Sequence, residues 1–172
     1  MLKKIFGRKS RTIQKVKEEF KNNKFNELLI GIGYKHLAVR KELFDRFNHK
    51  IPFGKFIHSS CWIDDTVEIN HGVVIYSNCC IDAYAKIDNN CILNISCSIA
   101  HNTYIGKHCF LSPRVAIAGF VKVEEQCSIG INTTIIDNIK IVSNTQIGAG
   151  AVVIKNIETS GLYVGNPTKF IR

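Results

Sequence analysis

Hydrophobic residues in this chain recur at every sixth position over more than half of its length. From Ile57 to Val153 each sixth residue is Ile, Leu or Val, without a gap or an insertion. These positions are Ile57, Ile63, Ile69, Ile75, Ile81, Ile87, Leu93, Ile99, Ile105, Leu111, Ile117, Val123, Ile129, Ile135, Ile141, Ile147 and Val153. A fixed short period is typical of a repeat solenoid, and a period of six predicts a parallel β-helix.

A second set of residues, small or β-branched, stands four positions after the first. Its members are Cys61, Val67, Val73, Cys79, Ala85, Cys91, Cys97, Thr103, Cys109, Val115, Val121, Cys127, Thr133, Ile139, Thr145, Ala151 and Ile157. Because side chains alternate along a strand, each hexapeptide predicts one short strand and one turn, with both sets pointing inward. Three hexapeptides close a triangular coil, and successive coils stack at roughly 4.8 Å. A β-sandwich would need turn signals every 8–12 residues or so, for which the unbroken period leaves no room.

The internal ladders follow from this period. Residues 18 apart should stack, so one ladder is predicted to contain Ile57, Ile75, Leu93, Leu111, Ile129 and Ile147. The predicted fold class is therefore an all-β solenoid with a small N-terminal α/β segment. We expect three parts: a short basic α/β segment over 1–55, the β-helix over 56–160 and a C-terminal tail over 161–172. Pro52 and Gly54 mark the first boundary.

Charge separates the N-terminal segment from the solenoid. Residues 1–55 hold 15 Lys and Arg against 5 Asp and Glu, whereas residues 56–172 hold 8 against 9. A basic segment attracts phosphates, whether on a nucleotide, a membrane surface or a nucleic acid, but a solvated basic face explains it equally well. No nucleic-acid-binding motif accompanies it, so no nucleic-acid partner is predicted.

The N-terminal segment predicts two helices and a strand. Ser10 is a candidate cap for a helix that carries Ile13, Val16 and Phe20 on one face. A buried strand is expected over 28–30 and a helix over 36–47, with Leu37, Leu43, Phe44 and Phe47 as its apolar side. Gly31 and Gly33 lie between them, but the third glycine of a dinucleotide fingerprint would fall at His36, so this motif fails.

Targeting signals are not evident in the chain. No apolar run approaches the roughly 20 residues of a membrane span. The basic start has no apolar stretch of about 7–15 residues behind it, so it does not resemble a secretory signal. A cytoplasmic protein without a membrane span is expected, although the basic N-terminus leaves contact with a membrane surface open.

The cysteines follow the repeat. Six of the seven occupy the small inward position, and Cys80 stands one residue beyond it. A buried free cysteine behaves as a small hydrophobe, and no Cys-x-x-Cys pair provides a zinc signature. Packing is therefore favoured over disulfides or a metal site.

His101 differs from the other histidines because of what should stack beside it. It is the third residue of its hexapeptide, and Gly119 is the third residue of the hexapeptide one coil later. A ligand can approach the backbone of a glycine closely. A base beside a bare N–H suits acyl transfer, because the base takes a proton from the nucleophile and the N–H stabilises the carbonyl oxygen.

Several further segments resemble a known family. They are the stretches 56–60, 99–106, Ala118-Gly119, 148–153 and 164–169. On these residues the chain resembles the left-handed β-helix acyltransferases, in particular the sialic acid O-acetyltransferase family and the UDP-4-amino-sugar N-acetyltransferases of the bacillosamine pathway. The resemblance runs from about residue 28 to the end, and the left hand of the helix is taken from it.

The resemblance implies a homotrimer that binds acetyl-coenzyme A, as acetyl donor and without a metal, in grooves between neighbouring solenoids. His101 matches the general base that deprotonates the acceptor, and Gly119 matches the residue whose N–H holds the thioester carbonyl. The remaining matches are to cofactor-binding positions, with Ile131, Ala149 and Gly150 along the pantetheine arm and Lys155, Lys169 and Arg172 as candidates for the phosphates.

The chain departs from the family pattern at several positions. Asn102 stands where an acidic residue often follows the catalytic histidine, and Phe110 replaces a second histidine of some relatives. Pro113-Arg114 stands where many relatives have a glycine as the second of these two residues, close to the opening through which the acceptor enters. The domain that receives the nucleotide in relatives is short here, so the acceptor is either an unusual nucleotide-sugar or not nucleotide-linked.

The expected function is acetyl-CoA-dependent acetylation of a sugar for a bacterial surface glycan. N-acetylation of an amino-sugar nucleotide leads, and O-acetylation of a sugar hydroxyl, as on a sialic-acid-like sugar, is the alternative. A metal enzyme like the γ-class carbonic anhydrases would need three converging histidines, but His101 and His108 stand at different offsets of their repeats. The third hypothesis is a non-catalytic scaffold that docks through its basic N-terminus.

Overall fold

The computed structural model describes residues 13–172, so the candidate cap Ser10 lies outside the described residues. The N-terminal part holds helix α1 (Ile13–Lys21), a 3₁₀ turn (Tyr34–His36) and helix α2 (Leu37–Phe47). Helix α2 confirms the predicted second helix. The predicted strand over 28–30 is wrong: Leu28 makes only an isolated bridge to Phe53. Without a further strand on its other side, this stretch has no sheet to join.

The solenoid consists of two-residue strands separated by turns. Within the described residues they are β1 (Phe56–Ile57), β2 (Trp62–Ile63), β3 (Glu68–Ile69), β4 (Val74–Ile75), β5 (Cys80–Ile81), β6 (Lys86–Ile87), β7 (Ile92–Leu93), β8 (Ser98–Ile99), β9 (Tyr104–Ile105), β10 (Phe110–Leu111), β11 (Ala116–Ile117), β12 (Lys122–Val123), β13 (Ser128–Ile129), β14 (Thr134–Ile135), β15 (Lys140–Ile141), β16 (Gln146–Ile147), β17 (Val152–Val153), β18 (Leu162–Val164) and β19 (Lys169–Phe170). Each strand from β1 to β17 ends on a predicted inward aliphatic residue, which confirms the period of six.

The strands stack into three parallel sheets that form the faces of a left-handed prism of about 6 turns. The first face contains β1, β4, β7, β10, β13 and β16, the second face β2, β5, β8, β11, β14 and β17, and the third face β3, β6, β9, β12 and β15. Partners across each face are 18 residues apart, as in the pair of Ile75 and Leu93. The C-terminal strands β18 and β19 extend the first face, and β19 runs antiparallel.

The interior of the prism is a continuous apolar ladder. Ile75, Leu93 and Leu111 are fully buried, and burial of such a side chain stabilises the fold by about 1.5–3 kcal/mol. Ile57 is 41% exposed because it lies in the first coil, whose open end no earlier coil covers. The predicted ladder is thus confirmed, and its first residue, Ile57, is partly exposed to solvent.

The small inward residues also donate hydrogen bonds, which the sequence analysis did not anticipate. Cys91 donates from Sγ to the Gly106 carbonyl at 3.0 Å, and Thr103 donates from Oγ1 to the Ala118 carbonyl at 2.9 Å. In both cases the acceptor lies 15 residues ahead. Cysteine and threonine therefore share this position because each pairs a small apolar body with one donor.

The cysteines lie where the repeat predicted them. All seven are free thiols: Cys79, Cys91, Cys97, Cys109 and Cys127 are buried, Cys61 is half-buried in the first coil and Cys80 is exposed. Burial raises the pKa of the Cys109 thiol well above its usual value. The buried thiols pack inside the prism, and several of them donate hydrogen bonds to main-chain carbonyls.

The N-terminal segment packs on the early strands of the first face. The outward side chains of Val74, Ile92 and Phe110 are buried there, and Leu37 of α2 contacts this cluster. Tyr34 also reaches Phe110, with ring centroids 5.7 Å apart. The hydrophobic outward positions of the first face therefore mark the surface that carries α2.

A polar cluster is buried where α2 meets the turns between the third and first faces. Arg40 and Asn90 are fully buried, and His108 is 2% exposed. Asn90 Nδ2 lies 2.9 Å from His108 Nδ1, and Arg40 Nη1 donates to the Cys109 carbonyl at 3.4 Å. His108 is thus a turn residue of the repeat, but α2 covers it.

Candidate active site

His101 and Asn102 form one turn on the edge between the second and third faces, here called the second–third corner. The turn links β8 to β9, and Asn102 adopts a left-handed backbone with φ of 58°. Asparagine is one of the few residues that accept this conformation readily. The hexapeptide turn therefore holds the His101 side chain outside the prism, in an exposed position.

The imidazole of His101 lies directly over Gly119. A Cβ atom added to Gly119 would meet His101 Cε1 at 2.8 Å and Nε2 at 3.0 Å. The stacking follows from the register of the strands on either side, in which Ser98 pairs with Ala116 and Tyr104 with Lys122. The juxtaposition expected from the spacing of 18 is confirmed, and any side chain at position 119 would displace the ring.

Asn102 orients the imidazole. His101 Nδ1 lies 3.1 Å from Asn102 Oδ1, and because that oxygen only accepts, the Nδ1 proton is the donor. This tautomer leaves the lone pair of Nε2 free, and Nε2 has no hydrogen-bond partner within residues 13–172. Asn102 thus does the orienting that a carboxylate does beside many catalytic histidines, but without adding negative charge.

The backbone N–H of Gly119 is available to a ligand. Its neighbour Phe120 donates to the His101 carbonyl at 3.1 Å, whereas the Gly119 N–H has no protein acceptor within residues 13–172. A free donor beside a free imidazole nitrogen is an arrangement that can stabilise a developing oxyanion and accept a proton at one place.

Strand β9, which follows this turn, is anchored by a polar network on the third face. Tyr104 donates from its hydroxyl to Asp88 at 2.9 Å, and Asn70 Nδ2 donates to the same carboxylate at 3.0 Å. Burial tends to raise the pKa of Asp88, but these bonds and one from the Asn89 N–H outweigh it and hold that pKa below its usual value. Burial, with the bond to Asp88, raises the pKa of Tyr104. The network keeps the strand after His101 in place.

The residues matched to the pantetheine arm lie on a different edge of the prism. Ile131, Ala149 and Gly150 occupy turns between the first and second faces, the first–second corner, and all three are exposed. Gly150 has φ of 66°, and an added Cβ there would meet nothing within 4 Å. Within one chain, therefore, the structure does not bring these positions onto the corner of His101 and Gly119.

The candidate phosphate ligands lie at the C-terminal end of the solenoid. Lys155, Lys169 and Arg172 are all exposed. The backbone N–H of Thr168, next to Lys169, donates to the Val152 carbonyl at 2.9 Å, which holds the tail across the last strand of the second face. The carbonyl of Arg172 accepts from the Leu162 N–H at 2.8 Å. These cations thus share one end of the molecule.

Two of the departures from the family pattern lie away from His101. Phe110 is buried against the N-terminal segment, and Pro113 and Arg114 occupy a turn of the first–second corner. Only Asn102 contacts the imidazole directly. Phe120 is a further contact that the sequence pattern did not predict: its ring meets the His101 ring edge-on, with centroids 5.0 Å apart. Its sequence position, one residue after Gly119, is the signal that would have found it.

Among the described residues, no three His, Cys, Asp or Glu side chains converge in a way that would hold a metal ion. Neither of the helices within residues 13–172 has the length and apolarity of a bilayer-spanning segment.

Comparison with known proteins adds evidence at the level of structure. No protein-family model and no curated protein sequence matches the chain. Among solved structures, PerB from Caulobacter crescentus, crystallised with CoA and GDP-perosamine, is 25% identical over 93% of this chain and 76% of that chain, with a TM-score of 0.87. A perosamine N-acetyltransferase from the same organism, with one histidine replaced by asparagine, is 23% identical over 95% of this chain and 81% of that chain, with a TM-score of 0.85.

A third neighbour comes from another organism. The acetyltransferase domain of PglB from Neisseria gonorrhoeae is 18% identical over 90% of this chain and 76% of that chain, with a TM-score of 0.83. At this identity the likeness concerns the fold alone. The match to PerB, at 25% identity, confirms the resemblance to hexapeptide-repeat acyltransferases and the prediction that the protein is an acyltransferase. The roles of individual residues stay predictions.

Proposed function

We propose that this protein transfers the acetyl group of acetyl-CoA to the amine of a nucleotide-linked amino sugar. The observation that carries the proposal is the pairing of the free Nε2 of His101 with the free N–H of Gly119 across one coil. PerB, which shares the fold over most of this chain, was crystallised with CoA and GDP-perosamine, and this supports the choice of donor and acceptor. The product would serve a surface glycan.

In the proposed reaction the sugar amine attacks the thioester carbonyl carbon. His101 Nε2 accepts the proton that the nitrogen loses, and the Gly119 N–H donates to the carbonyl oxygen as its negative charge develops. The carbon–sulfur bond then breaks, and the proton passes from the imidazole to the departing thiolate of CoA. Each of these two groups acts on one atom of the reacting centre.

Asn102 favours an amine over a hydroxyl as the acceptor. A carboxylate beside Nδ1 would stabilise the protonated imidazole, whereas the neutral Asn102 amide orients the ring without that charge. A sugar amine that is already partly deprotonated needs less assistance from a base than a hydroxyl does. O-acetylation, the alternative, would have to proceed without the charge that many relatives supply.

Self-association would complete the site. The corner of His101 and the corner of Ile131, Ala149 and Gly150 border the same second face. The outward residues of that face carry no charge among the described strands, being Trp62, Cys80, Ser98, Ala116, Thr134 and Val152. The third face, by contrast, presents Glu68, Lys86, Tyr104, Lys122 and Lys140.

This difference supports a homotrimer in which the second–third corner of one copy faces the first–second corner of its neighbour. Acetyl-CoA would lie between the two copies, with its phosphates at Lys155, Lys169 and Arg172. Charged hydrogen bonds of this kind are stronger than neutral ones. The seven free thiols fit a reducing compartment, and we place the protein in the cytoplasm.

Two measurements test the proposal. Coenzyme A at about 1 mM should raise the melting temperature by mass action, since a ligand at 100 times its Kd adds about 2.7 kcal/mol, and His101→Ala should keep this shift. Light scattering should give three times the monomer mass. The absence of any shift with coenzyme A would count against the acyltransferase site, and a monomer would remove the intersubunit groove.

Product formation should be followed by mass spectrometry. A thiol reagent is less suitable, because the exposed Cys80 would add to the signal. Acetylation of an amino-sugar nucleotide by the wild-type protein, with loss of this activity in His101→Ala, is the expected result. Acetylation only of sugars that lack the amine would favour the O-acetyl alternative.

A further inference from the structure

Two exposed aromatic residues flank the turn that carries His101. Positions 18 apart on the second–third corner place Tyr84 one coil before Asn102 and Phe120 one coil after it. Tyr84 is 65% exposed and Phe120 is 55% exposed. Neither ring contributes to the core of the solenoid, so burial within the chain does not explain why large aromatics stand there.

The backbone at both residues makes their presence costly. Tyr84 and Phe120 have φ of 59° and 57° in the left-handed region, where a bulky side chain is strained and asparagine or glycine is preferred. At the same turn position elsewhere in the solenoid the chain uses asparagine five times, at 78, 90, 132, 138 and 144, besides Asn102, and the non-aromatic or polar residues Ser96, His108, Arg114 and Gln126. Within residues 13–172, Tyr84 and Phe120 are the only Tyr, Phe or Trp residues with positive φ.

Both strained aromatics thus lie on the corner that carries the candidate base, and Phe120 touches it. Its ring meets the His101 ring edge-on, at 86° between planes. Strain of this kind is retained where another requirement outweighs it, and it clusters at ligand-binding sites. The coincidence of exposure, strain and contact with His101 points to a ligand rather than to folding.

We infer that Tyr84 and Phe120 are the two walls of the acceptor subsite and that the sugar ring of the acceptor lies between them. This rests on the proposed acetyl transfer at His101. Residues two coils apart have a backbone separation of roughly 9.6 Å. One pyranose ring in van der Waals contact with an aromatic wall on each side requires roughly 7–8 Å. The slot therefore admits one ring, with Asn102 as its floor and the His101 imidazole beside Phe120.

The two walls have different partners. Gly119 and the candidate cofactor residues lie on the C-terminal side of His101, so the thioester approaches from the side of Phe120. Tyr84 lies on the N-terminal side, towards the coils on which the N-terminal segment packs. Phe120 is therefore a positioning residue for both the imidazole and the sugar, whereas Tyr84 contacts the sugar alone, through its ring face and its hydroxyl.

Asparagine variants separate a binding role from a structural one. Tyr84→Asn and Phe120→Asn remove the ring but supply the residue that the left-handed turn prefers, so their melting temperatures should equal or exceed that of the wild type. The matched control is Gln126→Asn, which has φ of 56° at the same turn position on another corner. Tyr84→Phe and Phe120→Tyr keep a wall and should retain most of the acceptor affinity.

The assay uses acetyl-CoA with UDP-, GDP- and dTDP-linked 4-amino sugars, GDP-perosamine included, and product mass as the readout. We expect each Asn variant to raise the KM of the accepted sugar by about tenfold or more. The KM of acetyl-CoA should change little, and Phe120→Asn should also lower kcat because the imidazole loses its support. Gln126→Asn should match the wild type.

The possible failures are distinguishable. If the wild type acetylates no member of the panel, the proposed function fails and the subsite fails with it. If the wild type is active but both Asn variants keep its acceptor KM, the subsite alone is wrong. Lower stability or a changed oligomeric state, together with an unchanged acceptor KM, would assign the aromatics to packing between copies instead.

Discussion

Two corners of the same prism carry a histidine on a hexapeptide turn, and their surroundings are opposite. On the second–third corner His101 is exposed, oriented by Asn102 and stacked over a glycine. On the third–first corner His108 is buried beneath α2, edge-on to Phe44 with ring centroids 5.5 Å apart. The repeat alone treats both as turn residues, and the N-terminal segment makes them different.

Burial decides what each histidine can do. Burial lowers the pKa of His108 to about 4, and the cations of Lys41, Arg40 and Lys107 act in the same direction against Asp45. A neutral, enclosed imidazole serves packing and a hydrogen bond to Asn90. An exposed imidazole with a free nitrogen can reach a substrate. Which histidine can meet a substrate therefore depends on which corner α2 leaves uncovered.

The largest effect should come from His101→Ala. Loss of a general base should lower kcat by roughly 10²–10⁴-fold, with little change in the KM of acetyl-CoA because His101 acts on the acceptor. His71→Ala is the matched control, since His71 is exposed at the same turn position on the other corner. Normal turnover by His101→Ala would show that the catalytic base is not on this corner.

The next effect concerns stability against pH on the buried corner. The pKa of His108 in the fold, about 4, lies below the unfolded value of about 6.5. Between these values the unfolded chain binds a proton that the folded chain does not. The contribution of His108 to the free energy of unfolding is therefore complete above about pH 6.5. It decreases towards pH 4, by up to about 3 kcal/mol.

Urea unfolding from pH 7 to pH 4 measures this decline. His108→Asn removes the titrating group and keeps a residue suited to the left-handed turn, in which His108 has φ of 63°. Between pH 7 and pH 4 the free energy of unfolding of the variant should change less with pH than that of the wild type. Equal slopes in the two proteins would mean that His108 is protonated in the fold and not enclosed as described.

Gly119→Ala should have a smaller effect on the exposed corner. The new Cβ would meet the imidazole of His101 at 2.8 Å, and because that ring is the mobile end of a side chain, it should move aside at little cost in stability. A displacement of about 1 Å can cost up to 10²-fold in rate, so we expect kcat to fall by about 10- to 100-fold.

The matched control for this substitution is Gly33→Ala. Gly33 has φ of −79°, and an added Cβ meets nothing within 4 Å. Both proteins should melt close to the wild-type temperature, and only Gly119→Ala should lose turnover. A similar loss in Gly33→Ala would point to a function for the N-terminal glycines instead.

The smallest effect should follow Arg40→Met on the buried corner. Burial lowers the pKa of Arg40 to about 10, and its Nε and Nη2 have no protein partner within residues 13–172. Replacing a poorly satisfied buried charge with an apolar side chain of similar length is often neutral or stabilising, so we expect a gain of about 1 kcal/mol in urea unfolding. Arg46→Met, at an exposed site of the same helix, should change stability by less than about 0.5 kcal/mol. A clear loss for Arg40→Met alone would show that the charge is well satisfied.

The repeat region was predictable residue by residue because its physics is local and periodic. Each aliphatic from Ile57 to Val153 ends a strand, and a constant spacing of 18 was enough to place His101 over Gly119. The N-terminal segment was less predictable. Leu28 and its neighbours have the composition of a strand, but strand formation requires a partner, and only Phe53 is in reach.

The sequence by itself determined the prism, its register and the identity of the residues that stack at each corner, since a six-residue period admits only one way of turning its apolar positions inward. Only the tertiary structure decided which corner is covered. Arg40, Asn90 and His108 are far apart in the chain and polar, and nothing in their local patterns predicts burial. They are buried because α2 docks on the outward residues Val74, Ile92 and Phe110, and the position of a docked helix depends on contacts between segments that no repeat encodes.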